Sequence, residues 1–89
     1  MEYNEVLFGE IDVIARRGSL VVFAEIKARK NIDDAVLAVH QQARHRITAA
    51  AGLFLSKNPD LAYSTMRYDI IAIAGWRIRH VKDAWREGL

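Results

Sequence analysis

The chain contains no cysteine, which excludes a disulfide framework, a cysteine-built zinc cluster and a thiol redox motif. It has one proline and five glycines among its 89 residues, and 52% of it is hydrophobic. That composition excludes a collagen-like, linker-like or disordered polymer. No apolar run approaches the roughly 20 residues of a membrane-spanning helix. The opening MEYNEVLFGEID has no basic stretch followed by an apolar core, so no signal peptide and no membrane partner are expected, and the default compartment is the cytoplasm. A strong charge of one sign is also missing: thirteen basic against eleven acidic residues leave +2. Such a balance permits nucleic acid as a partner without demanding it. There is no G-x-x-x-x-G-K-[ST], G-x-G-x-x-G or G-x-S-x-G segment. P-loop nucleotide hydrolysis, dinucleotide redox chemistry and α/β-hydrolase chemistry therefore lack support.

What is present reads as one domain over residues 1–89, without linker or repeat. Val6 to Ala15 and Leu20 to Ile26 are rich in β-formers, and Arg16-Arg17-Gly18-Ser19 between them is a hairpin signal. Asn31 or Asp33 is placed to cap one long helix, Asp34 to Lys57, which Asn58-Pro59-Asp60 must end because the residue before proline avoids the helical region. Thr65 to Ala74 reads as a third strand, Gly75-Trp76 as a turn, Arg77 to Val81 as a fourth strand, and Lys82 to Arg86 as a last helical turn. The expected fold is α/β, in the order β-β-α-β-β. A chain of this size buries roughly 60–65% of its unfolded surface. It should therefore use both faces of its sheet or bury more in an oligomer, for which a homodimer is the simplest form.

The hairpin register decides which side chains meet. A two-residue type II′ loop wants glycine first, which Gly18-Ser19 provides; an Arg17-Gly18 loop would force arginine to positive φ. This loop pairs Arg17 with Leu20 and, counting outward, Asp12 with Glu25 and Glu10 with Lys27. Alternation then puts Glu10, Asp12, Glu25 and Lys27 on one face and Ile11, Val13, Val22, Ala24 and Ile26 on the other. Directly opposed acids destabilise a sheet. Either the four residues form a solvated charge network, or Asp12 and Glu25 hold a cation. Oxygen ligands suit Mg²⁺ or Mn²⁺, which retain waters and leave room for a phosphate. Lys27 would then be a point charge beside the metal, able to orient a water and offset charge building on phosphorus.

Asp12 followed a dozen residues later by Glu25-Ile26-Lys27 resembles the PD-(D/E)XK core of restriction-endonuclease-like nucleases. The flanking segments, Gly9 to Arg16 (GEIDVIAR) and Val22 to Arg29 (VFAEIKAR), with Arg67-Tyr68-Asp69-Ile70-Ile71-Ala72 and His80 to Trp85 (HVKDAW), closely resemble the YraN family, also called UPF0102. The resemblance runs from about Val6 to Arg86. It implies a restriction-endonuclease-like mixed sheet, laid out like archaeal Holliday junction resolvases, and a metal-dependent endonuclease acting on nucleic acid, DNA first of all. It further implies that Asp12, Glu25 and the main-chain carbonyl of Ile26 bind the metal, that Lys27 assists catalysis, and that Glu10 tunes the site. Family members usually carry a helix and a strand before the GEID motif, and this chain is expected to lack that N-terminal helix. The rival reading from another class is a non-catalytic nucleic-acid-binding or assembly protein with a degenerate nuclease fold.

Two basic stretches complete the sequence. His40, Gln41, Gln42, Arg44, His45 and Arg46 can cluster on one side of the long helix, tracking phosphates through Arg44 and Arg46 or simply forming the solvated face opposite Val36, Val39, Ile47, Ala51 and Leu55. Arg77, Arg79, His80 and Lys82 follow Trp76. Arg77 and Arg79 are further candidates for phosphate contacts, and an exposed Trp76 could stack on a base, although core or edge capping is its commoner role. Trp85 reads as a packing residue, and Asp69 as a partner of Arg67 or a buried polar anchor.

Overall fold

The computed structural model of the chain describes residues 5–7 and 9–86. Its elements are β1 (Glu5–Leu7), β2 (Val13–Arg17), β3 (Leu20–Ala28), α1 (Ile32–Leu37), α2 (Gln41–Ser56), a 3₁₀ turn (Pro59–Leu61), β4 (Thr65–Ala74) and β5 (Arg77–Trp85). The five strands form one sheet in sequence order; β3 and β4 run parallel across the helical crossover and every other pair is antiparallel. The α/β class and a mixed sheet are as the sequence predicts.

The hairpin register is as predicted from the loop out to Val13 and Ala24, but the ladder ends there, and the expected cross-strand pairs Asp12–Glu25 and Glu10–Lys27 are not part of it. Arg17 pairs with Leu20 and Val13 with Ala24, and Gly18 takes a φ of 56° at the first loop position, which glycine alone adopts without cost. The expectation of one strand from Val6 to Ala15 is corrected: β1 and β2 are separate, and residues 9–12 are bends between them. The chain folds back at this point, so β1 pairs antiparallel with β2, Leu7 opposite Ile14. Two consequences follow. Glu10 lies exposed in the bend and is not a strand partner of Lys27, and Ile11 leaves its assigned face to join the helix-side core with Phe23 and Ile47.

One expected helix is two. Asn31 caps α1, its side-chain oxygen accepting the Asp34 N–H at 2.8 Å, but the helix stops at Leu37 and a new one begins at Gln41. The break lets Val39 bury completely in the core, and the Arg44 Nε–H donates to the Val39 carbonyl at 2.8 Å, satisfying an acceptor that the break releases. Both helices cover the face of the sheet that carries Val21, Phe23, Tyr68 and Ile70, where these residues meet Val39, Ile47, Ala51 and Leu61. Phe54 meets Phe23 edge-on at 6.1 Å, Phe23 stacks on Tyr68 at 5.6 Å, and Tyr68 stacks on Trp85 at 5.2 Å.

The predicted last helical turn, Lys82 to Arg86, is instead a continuation of β5 through Trp85. The ladder shifts between Tyr68 and Ile70, and Asp83 enters the left-handed region at φ 55°. Such a bulge leaves an N–H without a ladder partner. Here the Asp83 N–H donates to Asp69 at 3.0 Å. Asp69 is fully buried, also accepts hydrogen bonds from Arg67 Nε and Nη2 at 2.9 Å each, and contacts His80 Nε2 at 2.7 Å. The tertiary network, which local sequence does not announce, outweighs the helical preference of Lys-Asp-Ala-Trp. Trp85 packs as expected, with its indole N–H on Thr48, whereas Trp76, at the β4–β5 turn, is 90% exposed. Core or edge capping is not its role.

Candidate metal centre

The end of β3 sets the geometry. Its last pair with β2 is Val13 with Ala24, beyond which the chain preceding β2 bends away. In a two-residue hairpin Arg17 and Leu20 form a hydrogen-bonded pair, so Val22, Ala24 and Ile26 all turn their N–H and C=O toward β2. Opposite Ile26 the strand partner has gone, and Asp12 takes its place: the Ile26 N–H donates to Asp12 Oδ2 at 2.9 Å. By the same alternation the Ile26 carbonyl turns to that edge. Glu25, one residue earlier, points to the helix side and is only 3% exposed.

Glu25 has three charged neighbours. Burial raises its carboxyl above the ordinary value, and the hydrogen bond and the charge of the nearby Asp12 raise it further; Arg46 and Lys27 pull it back without cancelling the rise. Arg46, from α2, donates to Glu25 Oε2 at 2.8 Å, and Lys27 Nζ stands 3.8 Å from the same oxygen. Two acids and two cations thus meet where the hairpin opens, with one acid out of water. Among the described residues no three His, Cys, Asp or Glu side chains converge on one point. Two carboxylates and one main-chain carbonyl nonetheless form the hard-oxygen set that Mg²⁺ or Mn²⁺ takes, the remaining positions going to water. The residues therefore fit such an ion.

Of the predicted site residues, the fold brings together Asp12, Glu25, Ile26 and Lys27 and leaves Glu10 in the exposed bend. Arg46 joins them through Glu25. Arg44 is engaged elsewhere, with its guanidinium 5.5 Å above the Trp85 ring. Arg77 and Arg79 lie on β5, Arg79 within 3.3 Å of Asp33. The contact of Arg46 with Glu25 is what the sequence reading missed. Ala43 and Ala50, three before and four after Arg46 on α2, pack against the core; that spacing puts Arg46 on the flank facing the sheet.

The raised carboxyl of Glu25 has a measurable sign. A carboxyl that holds its proton more tightly folded than unfolded stabilises the fold below its ordinary value, 4.5, and that contribution disappears as pH rises through the raised value. Relative to Glu25→Gln, the wild type is thus expected to gain stability as pH falls from neutral toward 4.5. Urea midpoints across that range check it.

The comparisons with known proteins agree on one family. The model of the Uncharacterised protein family UPF0102 matches residues 1–73. A UPF0102 protein of Paramagnetospirillum magneticum is 46% identical over 79 residues, 88% of this chain and 61% of that relative. UPF0102 proteins of Sinorhizobium medicae and Rhizobium meliloti are 49% and 51% identical over 86 residues, 96% of this chain and 70% of each relative. The chain belongs to UPF0102, and it spans 61% to 70% of the length of these relatives.

Proposed function

We propose that this UPF0102 chain is a divalent-metal-dependent phosphodiesterase of the restriction-endonuclease-like kind, acting on nucleic acid and on DNA in particular. The observation that carries the reading is Glu25, buried next to a second carboxylate at the open end of the hairpin. Burial and the neighbouring Asp12 both disfavour an ionised Glu25, and a bound cation would offset that cost. Asp12, Glu25 and the Ile26 carbonyl would hold Mg²⁺ or Mn²⁺, which when bound polarises a phosphate oxygen and makes water more acidic.

The chain's own groups supply the rest. The Lys27 ammonium, fixed beside Glu25, orients the attacking water and offsets negative charge gathering on the phosphoryl oxygens. The water oxygen bonds to phosphorus and releases a proton to solvent, while the bond to one sugar oxygen breaks and that oxygen leaves, taking up a proton from solvent. Arg46 is bound to Glu25 in the resting site. Its side chain is 53% exposed and long enough to leave the acid for a substrate phosphate, to which guanidinium binds through two hydrogen bonds.

Incubation with labelled linear, nicked and branched DNA in Mn²⁺ tests the reading. Cleavage is expected in the wild type and not in Asp12→Asn. Absence of cleavage from a wild type shown to bind Mn²⁺ would overturn the catalytic reading in favour of a non-catalytic nucleic-acid-binding protein.

A further inference from the structure

The turn between β4 and β5 is built around Gly75, whose φ is 61°, and it holds Trp76 and Ile78 in solvent, 90% and 70% exposed. Large apolar side chains standing together in water mark a contact surface. The charges around them say what kind. From Trp76 to Lys82 the chain carries Arg77, Arg79 and Lys82, all exposed, with no acid among the seven residues; Arg79 reaches Asp33 on α1 at 3.3 Å, and His80 contacts the buried Asp69. A second copy docking here by two-fold symmetry would set these cations against themselves. An oligoanion would not meet that repulsion.

The hairpin tip also has a fixed place relative to the acids. β3 and β4 run parallel with Lys27 beside Ala72, so the tip projects from the sheet end at which Glu25 and Lys27 sit. β4 ends at Ala74, two residues or about 7 Å beyond Ala72 at ~3.3 Å per residue, and Trp76 lies in the turn that follows.

We infer that the β4–β5 hairpin is a nucleic-acid-binding wing, in which Trp76 stacks on an unpaired base while Arg77 and Arg79 hold the flanking phosphates. This deepens the nucleic-acid reading above by naming the substrate class, a strand with unstacked bases close to the site of cleavage. It does not depend on cleavage. Aromatic stacking is indifferent to base identity because every base offers a π-face, so the wing confers preference for unpaired structure over sequence.

The test is binding of a fluorescein-labelled oligothymidylate of about twelve nucleotides, within the usual single-strand site size, measured with EDTA present so that no metal chemistry contributes. The wild type should bind it, with quenching of tryptophan fluorescence. Trp76→Ala should lose about 5- to 100-fold in affinity, the worth of one stacked base, and Trp76→Phe should retain most of it. Arg77→Ala should lower the log–log salt slope by about one. Thermal melts of the variants should match the wild type, since Trp76 covers nothing. Equal affinity for wild type and Trp76→Ala would overturn the wing, even if DNA cleavage that depends on Asp12 were intact. A shift in sedimentation on Trp76→Ala with oligonucleotide affinity unchanged would overturn it in favour of a protein interface. Conversely, Trp76-dependent binding without any cleavage would uphold the wing and reject only the phosphodiesterase.

Discussion

Replacing Lys27 with methionine should lower DNA cleavage by about 10²–10³-fold, the usual cost of one lost transition-state electrostatic contact, while Mn²⁺ binds as tightly as before or tighter. The asymmetry follows from where the ammonium stands. At 3.8 Å from Glu25 Oε2, Lys27 contributes no electron pair to a cation, and its own charge repels one. It acts on the water and on the phosphoryl oxygens as charge develops there. Asp12→Asn removes a ligand instead, so affinity and cleavage should fall together. Methionine matches the length and bulk of the lysine stem, which keeps packing effects small for a side chain 29% exposed. Single-turnover cleavage beside Mn²⁺ titration separates the two cases. Equal loss of metal affinity in Lys27→Met and Asp12→Asn would make Lys27 a structural partner of the acids and no more.

The largest loss of stability is expected far from those acids, at Asp69. It is fully buried and ties β4 to β5 through three partners: Arg67 on its own strand, and His80 and the Asp83 N–H at the bulge on the neighbouring one. Asp69→Ala leaves a largely buried guanidinium without this partner and strands a backbone donor. Removal of one member of a buried charged network costs about 3–5 kcal/mol. At about 4–8 °C per kcal/mol for a domain of this size, the thermal midpoint should drop by more than about 10 °C, with Asp69→Asn losing less because it keeps an acceptor. Burial alone would raise the Asp69 carboxyl, but Arg67, the Asp83 N–H and His80 together hold it below its ordinary 3.8. A depressed carboxyl contributes stability above its unfolded value that is lost as pH falls through the folded one. Wild-type protein should consequently weaken below about pH 4 more steeply than Asp69→Asn. A flat comparison between them would mean that Asp69 is held by shape and not by charge.

These two clusters differ in how far the sequence reveals them. The Gly18-Ser19 loop permits one register, and that register alone brings Asp12 toward Glu25; β4 was legible to the residue because Asn58-Pro59 and Gly75 bracket a β-branched run. Asn31 announced its helix by the same local chemistry. The errors fall where tertiary contacts override local preference. Ala38-Val39-His40 contains no breaker, yet the helix parts there because Val39 buries and Arg44 accepts the task of satisfying its carbonyl. Lys82 to Trp85 has helical composition, yet Asp69 holds it extended through a bulge that depends on a residue fourteen positions earlier. The bend over residues 9–12 removed Glu10 from the strand and gave Ile11 to the core, again without proline or paired glycines to mark it. Arg46 was read as a solvated or phosphate-facing side chain, and its hold on Glu25 emerges only when α2 is laid across β3.

Calorimetric titration of Mn²⁺ into metal-free protein at neutral pH tests the central claim most directly. The wild type should bind one ion per chain, Asp12→Asn and Glu25→Gln should each lose most of that affinity, and Arg46→Gln, which removes a competing cation from Glu25, should bind more tightly. Affinity unchanged in both acid variants would contradict a metal centre at Asp12 and Glu25 and leave the four charges as a structural network.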